Sequence, residues 1–480
     1  MELYNNIQKT LSKKNINVVV GDIYDFMAIW KEWYRGNVND FHYYSVKMAD
    51  GSTKQLERRT LNMPKKVCED FSKLEWSEKV EIKLDTEVKT KKLWKVLDSK
   101  ENAFSINFPM FLEKEYALGT MVTVEYKKDN KTIIDYIDGD VVLPYKYTNN
   151  YINGIVTISR SVVEEAKSKK YYTLLTYHEY IDDTYIKINE LYVSKEETEL
   201  GEEISFKEIY PNIAEYEIIK TEHPRFQVWK LPIVNNLDTG SPMGISILAN
   251  HLDKFKSIDI KYDSFDHEFG SGKRRVLISR NALKSEITDV DENGKPIMVS
   301  YFDTNDDVYV ALKGMDDQPI KDINFNLRTQ EHIDAINTEL NYLSAGVGLG
   351  NGFYQFDKTG VKTATEVVSE NSDTYRTMVH HRIPIYDCLY DLIATICELE
   401  GIKYKEISIN LDDSIVEDTD KIKQQALTEY NAKLISKAEY FRITDKLEDT
   451  SALEFVNKMN EEIKQEQESL SNGDEPGFVE

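Results

Sequence analysis

The sequence predicts an α+β chain in several parts, and three observations carry that expectation. From Ala103 to Phe206 apolar residues alternate through MVTVEY, TIIDYI, DVVLPY, GIVTIS, YYTLLTYHEY and YIKINELYV, the period of half-buried strands. On either side of that stretch they recur three and four apart, the period of helices. Further on, two helices with one narrow apolar stripe each flank the short strands VLIS, IMVSYF and VYVAL within 276–325, which places those strands at the far end of a helical hairpin.

Composition limits function. The 480 residues leave room for about three domains and an ample core. With 60 basic against 84 acidic side chains the net charge is -24, so the surface repels polyanions, and no recognition-helix or zinc-finger pattern occurs. Cys68, Cys388 and Cys397 are too few and too badly spaced for a disulfide framework or a zinc site. No basic-then-apolar leader opens the chain and no apolar run approaches the ~20 residues of a membrane span. The expectation is a soluble protein made in a reducing cytoplasm, with no cofactor, no metal and no membrane partner.

Taken in order, Ile23 to Tyr34 reads as an amphipathic helix with Met27, Trp30 and Tyr34 on one face, broken at Gly36. Arg58 to Leu74 reads as a second helix, whose first regular turn Pro64 limits. Phe108 to Leu118 is a short helix before the strands, and Asp138-Gly139 and Asn153-Gly154 are tight-turn dipeptides between them. His178 and Glu179 share a strand, so they point to opposite faces and cannot hold one metal ion. Ser241 is set to cap, and Pro242 to open, a helix whose stripe of Ile245, Leu248, Leu252, Phe255, Tyr262, Phe265 and Phe269 continues to about Gly270.

Gly270 to Arg274 lacks the upstream glycine and the hydroxyl residue of a phosphate loop, which leaves a basic helix end. The second striped helix carries Ile333, Ile336, Leu340 and Leu343 and ends at Ala345-Gly346. It opens into GVGLGNGFYQFDKTGVK, rich in backbone freedom and poor in core formers. Gly346, Gly348 and Gly350 alternate as in a nucleotide loop, but Asn351 stands where the third glycine belongs and a helix precedes it instead of a strand. Thr363 to Glu366 has capping-box spacing for a long helix that Pro384 is expected to kink, and His380 and His381 diverge around it. Beyond Lys403 come the strand-like KEISINL, further helices, and an acidic tail from Gln465 expected to fray.

Several of these stretches resemble the portal proteins of tailed bacteriophages infecting Gram-positive hosts. They are W-x-x-W-Y-R-G at Trp30 to Gly36, F-H-x-Y at Phe41 to Tyr44, and L-N-M-x-K-K-V within Arg59 to Glu78. S-P-x-G-x-S at Ser241 to Ser246 and T-A-T-E-V from Thr363 add to the likeness. The resemblance implies a portal fold: a wing over 1–240, a stem helix over 241–272, a small α/β clip over 273–327 and a second stem helix over 328–345. After these it implies a tunnel loop over 346–362, a long kinked wing helix over 363–402 and a helical crown over 403–480. It implies a homo-oligomeric ring, a dodecamer, which passes double-stranded DNA without sequence specificity. The implied partners are the terminase packaging motor, a head-completion adaptor, and the major capsid and scaffolding proteins. Gly346, Gly348, Gly350, Asn351, Lys358 and Lys362 are then the expected channel-loop residues. Leu248, Leu252, Phe255, Ile333, Ile336 and Leu340 are the expected ring interface. A head-assembly protein that forms no channel is the alternative.

Overall fold

The computed structural model describes residues 2–48, 51–77, 80–165, 168–271, 275–279, 286–290, 296–299, 309–312, 320–323, 326–356, 364–411, 419–445 and 456–458. The chain opens with α1 (Glu2–Lys13), α2 (Ile23–Arg35), α3 (Asn39–His42), the hairpin β1 (Tyr43–Lys47) and β2 (Thr53–Glu57), and α4 (Met63–Glu75). Gly36 ends α2 in the left-handed region, at φ 70°, as the break in the pattern predicts. Met27 and Trp30 are buried, but Trp33 takes the inner place expected of Tyr34, whose hydroxyl instead donates to Glu113. Pro64 sits in the first turn of α4, where its missing N–H costs nothing.

Next come β3 (Glu81–Leu84), α5 (Glu87–Leu97) and α6 (Phe104–Leu118), which starts a turn earlier than its apolar pattern suggests. The strands β4 (Thr120–Lys128), β5 (Lys131–Asp138), β6 (Val142–Thr148), β7 (Tyr151–Glu165), β8 (Ser168–Ile181) and β9 (Thr184–Ser194) contain five of the six alternating segments whole and the sixth, DVVLPY, from Val142 on. They are followed by β10 (Glu202–Ile204), α7 (Phe206–Ile209), β11 (Tyr216–Lys220) and β12 (Phe226–Lys230). Two antiparallel sheets result, one in the order β12-β4-β5, the other β10-β9-β8-β7-β6 with β11 also on β9.

Of the two expected tight-turn dipeptides, Asp138-Gly139 turns the chain between β5 and β6 and Asn153-Gly154 does not. Asp138-Gly139 joins strands of different sheets through a short 3-10 turn, because a side chain at Gly139 would strike the Thr120 carbonyl. Asn153-Gly154 lies within β7 opposite an irregular part of β6, where a Cβ on Gly154 would come 2.8 Å from that of Lys146. The reversal itself uses Asn149, at φ 53°. His178 and Glu179 do face apart: His178 is buried with Nδ1 2.8 Å from the Tyr185 hydroxyl, while Glu179 accepts from Tyr145 at 2.9 Å.

The helix expected from Ser241 begins only with α8 (Leu252–Ser271). Residues 241–248 instead run as buried irregular chain, with their donors satisfied by α6 and β4. Gly244 N–H donates to the Thr120 hydroxyl at 2.8 Å, Ile247 N–H to the Tyr116 carbonyl at 3.1 Å, and the Ser246 hydroxyl to that same carbonyl at 3.0 Å. Close passage depends on Gly119, at φ 76°, where any Cβ would strike the Ile245 backbone.

Beyond α8 lie β13 (Arg275–Ser279), β14 (Glu286–Val290), β15 (Pro296–Val299), β16 (Tyr309–Leu312) and β17 (Ile320–Ile323). They pair as β16-β13-β17 and β14-β15, with β13 and β16 parallel. The chain returns through α9 (Thr329–Gly346) and α10 (Ala364–Glu400), which is continuous through Pro384. It closes with β18 (Ile407–Asn410) paired to β3, then α11 (Thr419–Asn431) and α12 (Lys437–Asp445). The expected capping threonine, Thr363, and the acidic tail from Gln465 lie outside the described residues.

Three apolar clusters make the core. One joins α1 and α2 to the larger sheet, a second joins α5 and α6 to the C-terminal half of α10, and a third joins α4, α8, α9 and Met378 of α10. The striped residues expected between subunits belong largely to this third cluster: Leu248, Phe255, Ile336 and Leu340 are no more than 3% exposed within one chain, and Leu252 and Ile333 are half-buried. A narrow stripe on each helix is consumed when the two helices of a hairpin close on each other. Leu340→Asp is therefore expected to cost about 3–5 kcal/mol and abolish the cooperative melt of the subunit, as read by thermal unfolding; a folded monomer of unchanged melting temperature would refute this placement.

Candidate channel loop and its anchorage

The hairpin of α8 and α9 is held along its length by polar pairs outside the apolar seam. Lys261 meets Glu339 at 2.9 Å, and near the far end Glu268 accepts from Arg328 at 2.7 Å and lies 2.6 Å from Nε2 of His332. Hydrogen bonds from both partners hold the Glu268 carboxyl down at about 2. At its near end the hairpin is tied to the N-terminal region through Asp259, a buried carboxylate on α8. It accepts from the Thr60 hydroxyl at 2.9 Å and from Leu61 N–H at 3.0 Å, and Nε2 of His42 lies 3.2 Å away. Nδ1 of His42 accepts from Val38 N–H at 2.9 Å, so the proton sits on Nε2 and points at Asp259.

The glycine-rich stretch after α9 is a packed turn over its described part. Val347, Leu349 and Tyr354 are buried in the third core cluster, against the expectation of a segment poor in core formers. Gly348, at φ 84°, turns the chain under α10, where the Thr377 hydroxyl donates to its carbonyl at 2.6 Å. Gly350 N–H donates to the Thr374 hydroxyl at 3.1 Å, Tyr354 N–H to the Ser344 hydroxyl at 3.1 Å, and Phe356 N–H to the Asn337 side chain at 2.7 Å. Gly346 lies against the His251 ring and Asn351 is exposed. Of the six expected loop residues, Gly346 closes α9 and Gly348, Gly350 and Asn351 lie in the packed stretch after it; Lys358 and Lys362 lie outside the described residues. Sequence reading missed the anchors Ser344, Thr374 and Thr377. The signal available was two threonines three apart on the inner face of a helix.

A second anchor fixes α10 against α4 and α6. Arg382 Nε donates to the fully buried Glu75 at 3.0 Å, the Tyr116 hydroxyl donates to Glu75 at 3.4 Å, and Nδ1 of His381 lies 3.2 Å from that hydroxyl. The adjacent Glu115 is also buried, and burial together with the charge of Glu75 pushes its carboxyl up to about 8. Burial and the neighbouring His380 bring His381 down to about 4. At the other end of the helix His223 lies 3.0 Å from Asp391, and that contact raises the imidazole above its usual range.

What the fold leaves exposed is as informative. Tyr375, Val379, Ile383 and Tyr386, spaced four, four and three along α10, lie on one face and are between 37% and 58% exposed, as are Ile260 on α8 and Tyr342 on α9. Among the described residues no group of three or more His, Cys, Asp or Glu is arranged to hold a metal ion, and no helix is long and apolar enough to cross a membrane.

A family model described as "Phage portal protein, SPP1 Gp6-like" matches residues 24–469. The chain belongs to that phage portal family. Portal proteins are structural components of the phage head–tail connector, and this chain is a portal protein. No curated protein matches it. Among solved structures it is similar to a chain of "Neck of native GTA particle computed with C12 symmetry", at 10% identity over 79% of this chain and 87% of that one, with a TM-score of 0.36.

The buried carboxyl beside α10 gives this portal chain a pH signature. An unfolded Glu115 ionises near 4.5, whereas the folded one keeps its proton to about 8, so its contribution is fully present below pH 4.5 and is lost as pH rises through 8. Glu115→Gln is expected to raise the unfolding free energy at pH 7 by on the order of 2–3 kcal/mol and to flatten that decline. Urea melts of both proteins across this range check it; equal slopes with pH would contradict the assignment.

Proposed function

We propose that this chain is one subunit of a closed ring channel at a capsid vertex, through which double-stranded DNA is packaged, retained and ejected. The observation that carries the proposal is the family match across nearly the whole chain. The net charge of -24 supports it: each lysine or arginine contact to phosphate adds affinity by counterion release, so an acidic wall lets a polyanion slide. A ring of twelve copies would carry twelve times that charge.

In this reading the wing is 1–240, the first stem 241–272 with its helix starting at Leu252, the clip 273–327 and the second stem helix 328–345. The tunnel loop is 346–362, the wing helix 363–402 and the crown 403–480. The packed turn through Gly346, Gly348, Gly350 and Asn351 would be the fixed base of the loop, and Lys358 and Lys362 would reach the duplex transiently. The partners would be the packaging terminase, a head-completion adaptor, and the capsid and scaffolding proteins, with the protein residing in the virion.

Since the inner stripe is spent within the chain, the ring contact falls to the outer faces. The two outer sides of the α8–α9 hairpin differ, as a head-to-tail interface around a ring requires. Ile260 and Tyr342 provide one apolar side chain on each, and the exposed face of α10 extends the contact. The pair Ile260→Asp and Tyr342→Asp is expected to leave folded monomers where the wild type forms rings, by native mass and negative-stain imaging; intact rings would remove these faces from the interface. Replacing Lys358 and Lys362 by Glu is expected to leave rings intact and to lower DNA packaging; normally filled heads would exclude the proposed contact.

A further inference from the structure

The larger sheet leaves an edge open at β11. Asn189 N–H donates to the Glu215 carbonyl at 2.8 Å and Thr221 N–H to the Asp183 carbonyl at 3.0 Å, and the register between them pairs Glu217 with Lys187 and Ile219 with Tyr185. In an antiparallel ladder those odd residues give their backbone groups to β9, so Tyr216, Ile218 and Lys220 turn theirs away from the sheet. No described strand lies on that side, and the run has neither a proline nor a bulge to blunt it. Tyr216 and Ile218 stand opposite Ile188 and Ile186 on one face, and are 55% and 57% exposed. Two apolar rows of the sheet therefore end in water at the same residues whose amides and carbonyls point outward.

Charge around this edge has one dominant sign. Residues 195–220, which run from the end of β9 through β10 and α7 to the end of β11, hold eight glutamates and three lysines. Glu203 meets Lys14 at 2.8 Å, and among the described residues no cation lies within ion-pair distance of the other seven, of which all but Glu217 are exposed. Beyond Lys220 the edge runs into a cleft of about 870 Å³, bounded by Asp182 and Asp183 of the β8–β9 turn, by Thr221 to His223, and by Glu398 and Tyr404 at the end of α10. An open strand edge that leads into a cleft has the shape of a site for an extended chain. Its glutamates repel nucleic acid, and a second copy of this chain brings a net charge of -24, of the same sign.

We infer that β11 receives a short, basic, extended segment of another protein as an added strand, whose chain continues into the cleft beyond Lys220. Backbone hydrogen bonds to Tyr216, Ile218 and Lys220 supply the pairing, apolar side chains on one face of the segment cover Tyr216 and Ile218, and lysines or arginines meet the surrounding glutamates. The site goes beyond the channel reading above and does not depend on it.

The test uses the full chain and, as probe, a labelled synthetic peptide of alternating lysine and valine. Two controls accompany it, one with glutamate in place of lysine and one with proline at alternate positions, which cannot pair as a strand. The probe is expected to bind at low salt about tenfold more tightly than either control, and to slow hydrogen exchange of the amides within 216–220. Ile218→Pro removes one outward amide while leaving the bonds of Glu217 and Ile219 to β9, and is expected to weaken binding about tenfold. Glu202→Lys with Glu215→Lys, both exposed, is expected to do the same without touching the ladder, and thermal melts check that each variant stays folded. Equal binding of the proline control, protection confined to other segments, or affinity unchanged by the charge exchange overturns the site. Binding to the monomer that is lost once rings assemble gives the edge to a second copy and overturns the separate partner.

Discussion

The buried carboxylate of Asp259 ties two distant parts of this chain, and the direction of the α8–α9 hairpin depends on it. Burial penalises an ionised carboxyl, and the hydroxyl of Thr60, the amide of Leu61 and the imidazole of His42 offset that cost with three donors. Those donors come from the turn before α4 and from α3, so the N-terminal region grips α8 two turns into its length. With α8 set, the seam to α9 follows, and α9 in turn delivers the glycine turn beneath α10.

That order of dependence explains why most of the apolar stripe is already buried within one chain. A subunit whose hairpin closes on itself carries a finished core by itself, and under the proposed ring the contact would use faces that tolerate water beforehand. Half-exposed tyrosines and single aliphatic side chains suit such faces, since each can be solvated alone and still bury area when paired. The base of the candidate loop gains from the same arrangement. Its glycines spend their freedom on one turn, held by hydroxyls of Ser344, Thr374 and Thr377, so the chain leaves the hairpin in a defined direction.

Electrostatics works at two scales. Over the whole surface the acidic excess disfavours a held polyanion, which is what a conduit for DNA requires. Inside, Arg382 of α10 faces the buried Glu75, with Glu115 kept neutral and His381 kept uncharged beside them. A neutral acid and a neutral base next to one ion pair avoid a second uncompensated buried charge, the costlier alternative.

Much of the fold was legible in the sequence, because strand alternation and helical spacing are local properties. The six alternating segments, α2, the hairpin around the small strands and α9 were all readable, and so was the family, through Trp30 to Gly36 and Thr363 to Val367. The errors share one cause. Ser241-Pro242 has the residues of a helix start, yet the chain there gives its hydrogen bonds to Tyr116 and Thr120. Asn153-Gly154 has the residues of a turn, yet its glycine serves a close crossing with Lys146. The stripes of α8 and α9 were seen, but not what they face. Periodicity states which side chains avoid water; only the tertiary structure decides what covers them, because the covering atoms belong to other elements, 8 residues away for Gly154 and 124 for Gly244, and the local spacing does not name them.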